Sequence, residues 1–483
     1  MQKNYKVGQF ILDNHQMKVL TTINNCIVIA GAGSGKTLTI LGKINYLIEN
    51  NICHPEEILV ISFTNASVND IKEKIKYSVE VFTFHKLAMN ILQKSKFQYS
   101  ICPNNILKYT ISEYIKSLTL EEQQDVLNFL KLHINFKKFL YSEHFKSFCK
   151  LIETFINIFK SNDFCSVQIL KIKFTKLEKR VLLIVFKIYQ IYLTEKKSTN
   201  LLDLDDLIIY ATKLTNKVNL NYKYIIIDEF QDTSFIRLNL IKEISKFSNC
   251  KIVVVGDDWQ SIYRFSGCDL NIFLNFSQQF YNVDTITLVN TYRNSLQLIS
   301  IASEFITKNK KQINKKLSSV KSNETPLIFV PFVNKIEKLK KLLNHLLTIT
   351  NSIMILARNK NDINSYIDND FNINNNDLYF RDKKIKFYTV HKSKGLEADY
   401  VIVINCDNNI LGFPNKIENN KIINKLTPSI EIPYAEERRL FYVAITRCKE
   451  STFLMYDKYN ASFFIKEIKK ITKKQLHKIT YFM

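Results

Sequence analysis

Eight residues near the amino end of the chain have the composition of a phosphate-binding loop. Residues 30–37 read AGAGSGKT, with three glycines in five positions. Glycines let backbone N–H groups converge on phosphate oxygens, a lysine supplies a positive charge, and a threonine hydroxyl can hold Mg²⁺. We therefore predict a nucleoside triphosphate site formed by Ala30, Gly31, Ala32, Gly33, Ser34, Gly35, Lys36 and Thr37.

A pair of acidic residues follows an apolar run, YIIIDE, at residues 224–229. A phosphate loop needs an acid on a neighbouring strand, and Asp228 is placed to hold Mg²⁺ through water. Glu229 points the other way from the strand tip and can orient and deprotonate an attacking water. An Asp-Glu pair after a strand could also serve only as a buried helix cap. The phosphate loop elsewhere in the chain favours a catalytic role for the pair.

Apolar runs alternate with amphipathic stretches over most of the sequence, which predicts an α/β fold with parallel sheets flanked by helices. In such sheets the loops at the carboxyl ends of the strands hold the ligand. The Asn-rich stretch at residues 361–380 is predicted to be a loop. We predict strands at residues 26–30, 57–64, 224–228, 251–257, 284–289, 326–333, 352–357, 384–390 and 399–404.

The pattern divides the chain into three domains. Residues 1–86 and 203–290 carry the phosphate loop and the acidic pair, and we assign them to a first α/β domain. Residues 87–202 are Lys-rich, amphipathic and poor in strand runs, so they are expected to form a helical insertion. Residues 291–483 are predicted to form a second α/β domain.

Composition narrows the class of partner and the compartment. The 483 residues are 46% apolar and carry 68 basic against 45 acidic groups, a formal charge of +23 that favours a polyanion such as nucleic acid. No apolar run approaches the roughly 18 residues that cross a bilayer, so we expect neither membrane insertion nor export. Nine cysteines without a CxxC pair indicate reduced thiols of a cytoplasmic protein rather than zinc or disulfide frameworks.

Four segments together resemble one family. AGAGSGKT, IIIDEFQDTS, VHKSKGLEADYVIVI and EERRLFYVAITR occur in the order found in the UvrD/Rep family of superfamily 1 DNA helicases, and the resemblance extends from Leu12 to about Lys449. The variant GDDWQSIYRFSG looks most like the helicase IV branch. The resemblance implies two RecA-like P-loop motor domains with a helical insertion, ATP and Mg²⁺ as cofactors, and ATP-dependent 3′ to 5′ movement along single-stranded DNA.

The resemblance assigns residues to the base and the sugar of the nucleotide. Gln16 in LDNHQ would read the adenine, because its amide can pair with an acceptor and a donor on the base. Tyr292 would stack on the adenine, and Glu397 in KGLEAD would contact the ribose or the phosphate end.

By the same resemblance, three residues act on the γ-phosphate. Gln260 would sense it, while Arg293 in NTYRNS and Arg447 in AITRCKE would be arginine fingers from the second motor domain. Phosphoryl transfer accumulates charge on the γ-phosphate, so a guanidinium supplied by a separate domain makes catalysis depend on closure. A surface salt bridge is the alternative role for Arg447.

A second set of residues follows the strands of the ATP site and is predicted to bind single-stranded DNA. Aromatic faces stack on bases, while cations and amides contact phosphates. By resemblance, Phe265 stacks between bases; each aromatic alone also fits a core position. The predicted DNA contacts are Phe63, Thr64, Asn65, Thr83, His85, Tyr263, Phe265 and His391.

The chain departs from the family pattern in several places, among them Lys74 where an arginine is usual. Trp259 stands where many relatives carry an acid, and Ser266 where many carry an arginine that links nucleotide state to strand grip. Only about 32 residues separate Arg358 from the HKSKGLE segment, so the second accessory insertion is expected to be vestigial near residues 359–384. A minimal motor with altered regulation is the hypothesis that follows.

We predict a helicase or translocase that acts on single-stranded DNA and 3′-tailed duplex DNA and is a monomer when isolated. The alternative is an ATP-switched nucleic-acid-binding subunit that serves a nuclease partner in DNA repair or phage defence. A phosphotransferase is a further alternative, but it has no need for two arginine fingers.

Overall fold

The computed structural model describes residues 5–103, 105–164, 172–374, 377–416, 421–426 and 432–482. The strands are β1 (Lys6–Val7), β2 (Phe10–Ile11), β3 (Asn25–Ile29), β4 (Ile58–Ser62), β5 (Glu80–Thr83), β6 (Ser100–Ile101), β7 (Leu201–Leu202), β8 (Tyr224–Ile227), β9 (Lys251–Gly256), β10 (Val283–Thr287), β11 (Leu327–Phe332), β12 (Ile353–Ala357), β13 (Phe371–Asn374), β14 (Asp377–Phe380), β15 (Lys383–Thr389), β16 (Ala398–Val403), β17 (Cys448–Asp457) and β18 (Thr480–Tyr481).

The helices are numbered in the same way. They are α1 (Asn14–Thr21), α2 (Lys36–Glu49), α3 (Asn65–Lys74), α4 (Phe84–Lys94), α5 (Ile106–Lys116), α6 (Leu120–Leu130), α7 (Phe136–Leu140), α8 (Glu143–Ser161), α9 (Lys176–Ser198), α10 (Leu204–Leu214), α11 (Phe235–Ser248), α12 (Leu270–Leu274), α13 (Leu296–Ile306), α14 (Lys335–Leu347), α15 (Lys421–Leu426), α16 (Ala435–Ile445) and α17 (Phe463–Leu476). No helix in the described part of the chain has both the length and the apolarity needed to cross a membrane.

A six-stranded parallel sheet carries the phosphate loop. Its order is β10-β3-β9-β8-β4-β5, and every pair of neighbours is parallel. Side chains of a strand alternate between faces, so Ile27 packs in the core beneath α4, α10 and α11 while Val28 packs with α1 and α2. Helices therefore cover both faces, which confirms the predicted fold class.

A second sheet of eight strands has the order β13-β14-β15-β12-β16-β17-β11-β18. The six neighbouring strands β15-β12-β16-β17-β11-β18 are all parallel. Strands β13 and β14 form an antiparallel hairpin at the β15 edge of the sheet. Helices α13, α16 and α17 pack on one face and α14 on the other. This is the second RecA-like unit, and it follows the first sheet in the chain.

The prediction of a loop over residues 361–380 is wrong in its second half. Strands β13 and β14 lie there, and residues 375–376 between them are outside the described part of the chain. Phe371, Leu378 and Phe380 are buried and pack the hairpin against the core. The many asparagines of this stretch obscure these apolar positions in the sequence. The span near residues 359–384, expected to hold a vestigial insertion, thus consists of a 3₁₀ turn and this hairpin.

The helical segment between the two halves of the first domain forms its own core from α5 to α9. Helix α4 crosses the predicted boundary after residue 86, yet Leu87 and Ile91 pack in the core of the first sheet, which favours a boundary after α4. Helix α15, from the second half of the chain, adds Ile422 and Leu426 to the helical core.

The carboxyl end of α8 touches the first domain close to the predicted DNA surface. Asn162 donates a hydrogen bond to the Gly267 carbonyl at 3.3 Å. Gly267 has φ +84°, and a Cβ added there would lie 2.5 Å from Ser161 Cβ. Only glycine fits this position, since it needs both a left-handed backbone and the absence of a side chain.

Candidate functional site

The phosphate loop joins β3 to α2. Two of its glycines, Gly33 and Gly35, have φ angles of +71° and +78°, a left-handed backbone that favours glycine. A Cβ on Gly33 would lie 2.5 Å from Arg293 Cβ of the second domain. Arg293 of the second domain therefore packs directly against the backbone of Gly33, and a larger residue in place of Gly33 would clash with it.

A capping box orients Gln16 toward this loop. The Asp13 carboxylate accepts from the N–H groups of His15 and Gln16, and Gln16 Oε1 accepts from the Asp13 N–H at 3.0 Å. The amide oxygen is thereby engaged, and Gln16 Nε2 lies 2.8 Å from where a Cβ on Gly35 would be. The local sequence DNHQ thus fixes a side-chain amide against the loop.

Two buried polar atoms at the loop have no hydrogen-bond partner among the described residues. They are Gln16 Nε2 and Ser34 Oγ. Buried polar groups in native proteins are nearly always paired, with ordered water or a ligand serving where the protein does not. A nucleotide bound at the loop would supply partners for both.

Residues 291–293 of the second domain lie directly over the phosphate loop. Tyr292 N–H donates to the Gly33 carbonyl at 2.9 Å, and the Thr291 hydroxyl donates to the Ala32 carbonyl at 2.8 Å. The Tyr292 hydroxyl donates to Asp13 at 2.7 Å, next to Gln16. The two residues expected at the adenine therefore meet at one end of the loop.

The acidic pair follows β8. Lys36 Nζ lies 2.9 Å from Glu229 Oε1, while Asp228 is buried and accepts from the Glu229 N–H at 2.9 Å. Burial opposes ionisation of Glu229, but Lys36 and a second lysine outweigh it and lower its pKa. Burial, and then the charge of Glu229, raise the pKa of Asp228. A divalent cation at Asp228 would relieve both effects, and Thr37 lies in the first turn of α2.

The second lysine is Lys394 of the HKSKGLE segment. Its Nζ lies 3.3 Å from Glu229 Oε2, donates to the Gln260 carbonyl at 2.9 Å and forms an ion pair with Asp232. Burial opposes the charge of Lys394, yet Asp232 and Glu229 raise its pKa above the ordinary value. Burial raises the pKa of Asp232 to about 6. Lys394 is thus a fixed cation of the second domain at the proposed catalytic base.

Gln260 and Arg447 contact each other across the two domains. Arg447 Nη2 donates to Gln260 Oε1 at 2.7 Å, and Arg447 is only 2% exposed. Burial, followed by the nearby charge of Arg293, lowers the pKa of Arg447 to about 9. Arg293 itself donates to Glu397 at 2.8 Å. Both predicted fingers therefore face the cleft that contains Lys36.

The predicted DNA contacts fall into two groups. In the first, Phe265 is 52% exposed and stands edge-on to His391 at 5.6 Å between ring centroids. Tyr263 packs beside both rings and donates to the His391 carbonyl at 2.9 Å. Lys394 Nζ lies 5.4 Å from the Tyr263 ring centroid, which connects this aromatic group to Glu229.

The second group lies at the starts of α3 and α4. Phe63 packs edge-on against Phe84, and the Arg237 guanidinium lies 5.1 Å from the Phe63 ring centroid. Burial, and then Arg237, lower the pKa of His85 to about 4. Thr64 and Thr83 cap their helices, and Asn65 is exposed beside Thr64.

Several site residues escaped prediction from the sequence. Lys394 lies inside VHKSKGLEADYVIVI, one of the segments that carry the family resemblance. A lysine directly before the glycine of HKSKGLE could have indicated a functional cation. Asp257 and Asp258 stand in the GDDWQ segment, where two adjacent acids were visible. Lys315, which contacts both acids, lies in a Lys-rich stretch that no pattern separates from solvated surface.

Family models match both halves of the chain. The UvrD/REP helicase N-terminal domain matches residues 12–281, and the UvrD-like helicase C-terminal domain matches residues 374–459. The ATP-dependent DNA helicase Rep of Buchnera aphidicola is 34% identical over 328 residues, 64% of this chain and 45% of that protein, so the chain spans less than half of this relative.

Two further relatives are matched along nearly the whole chain. The DNA helicase IV of Escherichia coli is 26% identical over 476 residues, covering 93% of this chain and 68% of that protein. A probable DNA helicase of Mycoplasma pneumoniae is 26% identical over 504 residues, covering 97% and 89%. With an N-terminal model that matches more than half of its residues, this chain belongs to the UvrD/REP helicase family.

Proposed function

We propose that this protein hydrolyses ATP in the cleft between its two RecA-like domains and uses the cycle to move 3′ to 5′ along single-stranded DNA and to unwind 3′-tailed duplex. The observation that carries the proposal is the hydrogen bond between Arg447 and Gln260. It joins a buried cation of one domain to a side chain of the other, beside Lys36 and Glu229. Such a cleft responds to the presence or absence of a γ-phosphate.

The residues of the cleft have the chemistry that hydrolysis requires. Lys36 and the loop N–H groups would hold the phosphates, and Glu229, kept ionised by Lys36 and Lys394, would orient and deprotonate the attacking water. Thr37 and Asp228 would hold Mg²⁺, which when bound supplies positive charge to the β- and γ-phosphates.

The arginines would act late in the reaction. Arg293 is held by Glu397 and Arg447 by Gln260, so both guanidinium groups wait at the cleft in defined positions. Charge on the γ-phosphate grows toward the transition state, where fixed cations are worth more than in the ground state. Loss of the γ-phosphate removes the anion that these cations share and favours opening.

Lys394 supports coupling between ATP and DNA. One ammonium group contacts Glu229, Gln260 and the ring of Tyr263, which stands next to the exposed Phe265. A base that stacks on Phe265 would press on the same segment that positions the catalytic carboxylate. DNA should therefore stimulate ATP turnover through this lysine.

Two further features bear on assembly and compartment. Both arginines and the phosphate loop belong to one chain, which supports a monomeric motor. The eight cysteines in the described part of the chain are free thiols. Free thiols persist in reducing compartments, which supports a cytoplasmic location.

The test compares ATP turnover without nucleic acid and with single-stranded DNA, blunt duplex DNA or single-stranded RNA. We expect steady turnover that single-stranded DNA stimulates many-fold, and no turnover in Glu229→Gln. A gel assay on 3′-tailed and 5′-tailed duplexes then measures unwinding and polarity.

Three outcomes would contradict parts of the proposal. Single-turnover hydrolysis with tight DNA retention would favour an ATP-switched binding subunit, for which a nuclease partner would be sought. Displacement from the 5′-tailed duplex alone would contradict the polarity. Phosphate transfer to an acceptor other than water would exclude a motor.

A further inference from the structure

A short stretch of the second half of the chain crosses back over the ATP site. Residues 312–317, here called the crossing segment, follow α13 and dock on the GDDWQ segment of the first domain. The Ile313 N–H donates to Asp258 Oδ2 at 2.8 Å, and Trp259 Nε1 donates to the Ile313 carbonyl at 3.0 Å. A Cβ on Gly31 would lie 2.8 Å from Leu317 Cδ1. The crossing segment thus touches the γ-phosphate sensor loop and the phosphate loop together.

Lys315 is the centre of this contact. Its side chain is completely buried, and its ammonium group pairs with Asp257 and, at 2.6 Å, with Asp258. It also donates to the Ala30 carbonyl of the phosphate loop at 2.9 Å. The ammonium group thus makes hydrogen bonds to Asp257 and to the Ala30 carbonyl and an ion pair with Asp258. One buried cation therefore joins the start of the phosphate loop to both acids of GDDWQ.

The contact continues to the γ-phosphate residues. Asp257 Oδ2, on the carboxylate that Lys315 pairs with, accepts from Gln260 Nε2 at 2.5 Å. With its nitrogen held by Asp257, the Gln260 amide presents its oxygen to Arg447. Lys315 thus determines where Asp257 lies, and Asp257 determines which way Gln260 faces.

We propose that Lys315 is a positioning residue for ATP hydrolysis, which holds Gln260 in its orientation beside the phosphate loop without touching the nucleotide. The inference rests on the proposed ATPase activity. Without the ammonium group, Asp257 and Asp258 would repel each other in a buried site and Gln260 would lose its fixed orientation. A displacement of about 1 Å in a catalytic group can lower the rate about 100-fold.

The variant that tests this is Lys315→Met, with Lys316→Met as the matched control because Lys316 is the exposed neighbour in the same stretch. We expect kcat to fall about 100-fold in Lys315→Met with KM for ATP changed less than about 5-fold, and wild-type values in Lys316→Met. Unchanged kcat in a folded Lys315→Met protein would overturn the inference alone. Absence of turnover in the wild type would overturn the proposed function as well.

Lys315→Met leaves two buried acids without their cation, so loss of folding must be separated from loss of positioning. Lys315→Met/Asp258→Asn removes one charge of each sign while Asp257 remains. We expect its melting temperature to return toward the wild-type value while kcat stays low. Recovery of kcat together with the melting temperature would show that Lys315 serves stability only and would overturn the proposal.

A second readout tests whether Lys315 acts through Gln260. If it does, Lys315→Met/Gln260→Ala should turn over ATP about as fast as Gln260→Ala, because the residue being positioned is already absent. If the two losses multiply, Lys315 acts by another route and the proposal fails. Binding of a fluorescent ADP analogue to every variant confirms that the phosphate loop is intact.

Discussion

Substituting Arg447 by methionine tests the central feature of the cleft. Burial and the neighbouring Arg293 lower the pKa of Arg447 from 12.5 to about 9. At about 1.36 kcal/mol for each pKa unit, the nucleotide-free protein holds this cation at a cost of about 5 kcal/mol. The charge that develops on the γ-phosphate in the transition state would relieve this cost, so Arg447 should act on the reaction more than on ATP binding.

We expect Arg447→Met to lower kcat for ATP about 10³-fold, the lower end of the range for arginine fingers. This corresponds to about 4 kcal/mol, which is less than the cost of holding the buried cation without an anion. Steady-state turnover with saturating single-stranded DNA measures kcat. Affinity for a non-hydrolysable ATP analogue should change far less than kcat, since the cation acts mainly in the transition state.

Stability provides a separate check. Methionine relieves the buried charge but leaves Gln260 Oε1 without its donor, an effect of about 1–3 kcal/mol in the opposite direction. The melting temperature of the free protein should therefore rise, because the relief of about 5 kcal/mol exceeds this loss. In the control Arg438→Met, the buried pair with Glu467 at 3.0 Å is broken, so stability should fall by about 3–5 kcal/mol while the folded fraction keeps its kcat. A kcat of Arg447→Met within tenfold of the wild type would refute the finger.

Three other changes have defined outcomes. Phe265→Ala should weaken binding of single-stranded DNA by about 1–3 kcal/mol and leave basal ATPase unchanged, whereas Phe265→Tyr should bind DNA normally. Equal fluorescence-anisotropy titrations of labelled single-stranded DNA with Phe265→Ala and wild type would contradict this. Gln16→Ala should lower the selectivity for ATP over GTP about tenfold, which corresponds to the free energy of one hydrogen bond. Selectivity equal to that of the wild type would show that Gln16 does not contact the base. Burial lowers the pKa of His85 and of His391 from 6.5 to about 4. As the pH falls below 6.5, these histidines take up protons in the unfolded chain but not in the folded protein. The free energy of unfolding therefore decreases as the pH falls from 6.5 toward 4. In His85→Gln/His391→Gln the fall in urea midpoint between about pH 7 and about pH 5 should be smaller; an equal fall would mean that other groups titrate.

The sheets were largely predictable because their strands are continuous apolar runs. The strands β3, β4, β8 and β9 are such runs, buried on both faces, and all were predicted. Strand β17 was missed because it begins with the polar residues CKEST and becomes apolar only at Phe453. The hairpin of β13 and β14 was missed because the apolar residues of β13 alternate with asparagines, and because β14 is only four residues long.

The site was predictable where chemistry requires a rare residue type at a fixed spacing. The glycines of the phosphate loop are of this kind in a chain with nine glycines, whereas the role proposed for Arg447 came from the family resemblance. Lys315 and Lys394 are not, because the chain contains so many lysines that no local pattern distinguishes a buried one. Their roles depend on contacts between segments far apart in the sequence, Lys315 with Asp257 and Lys394 with Glu229.

The contact of Gly267 with Ser161 gives the helical insertion a mechanical connection to the nucleotide sensor. Helix α8 is 19 residues long, so its amino end lies about 28 Å from Ser161 at 1.5 Å per residue. A tilt of about 10° at the contact would swing that end through about 5 Å. A rearrangement of the Gln260 loop that tilted α8 by this amount through Gly267 would therefore displace the far end of the helix by about one helical turn.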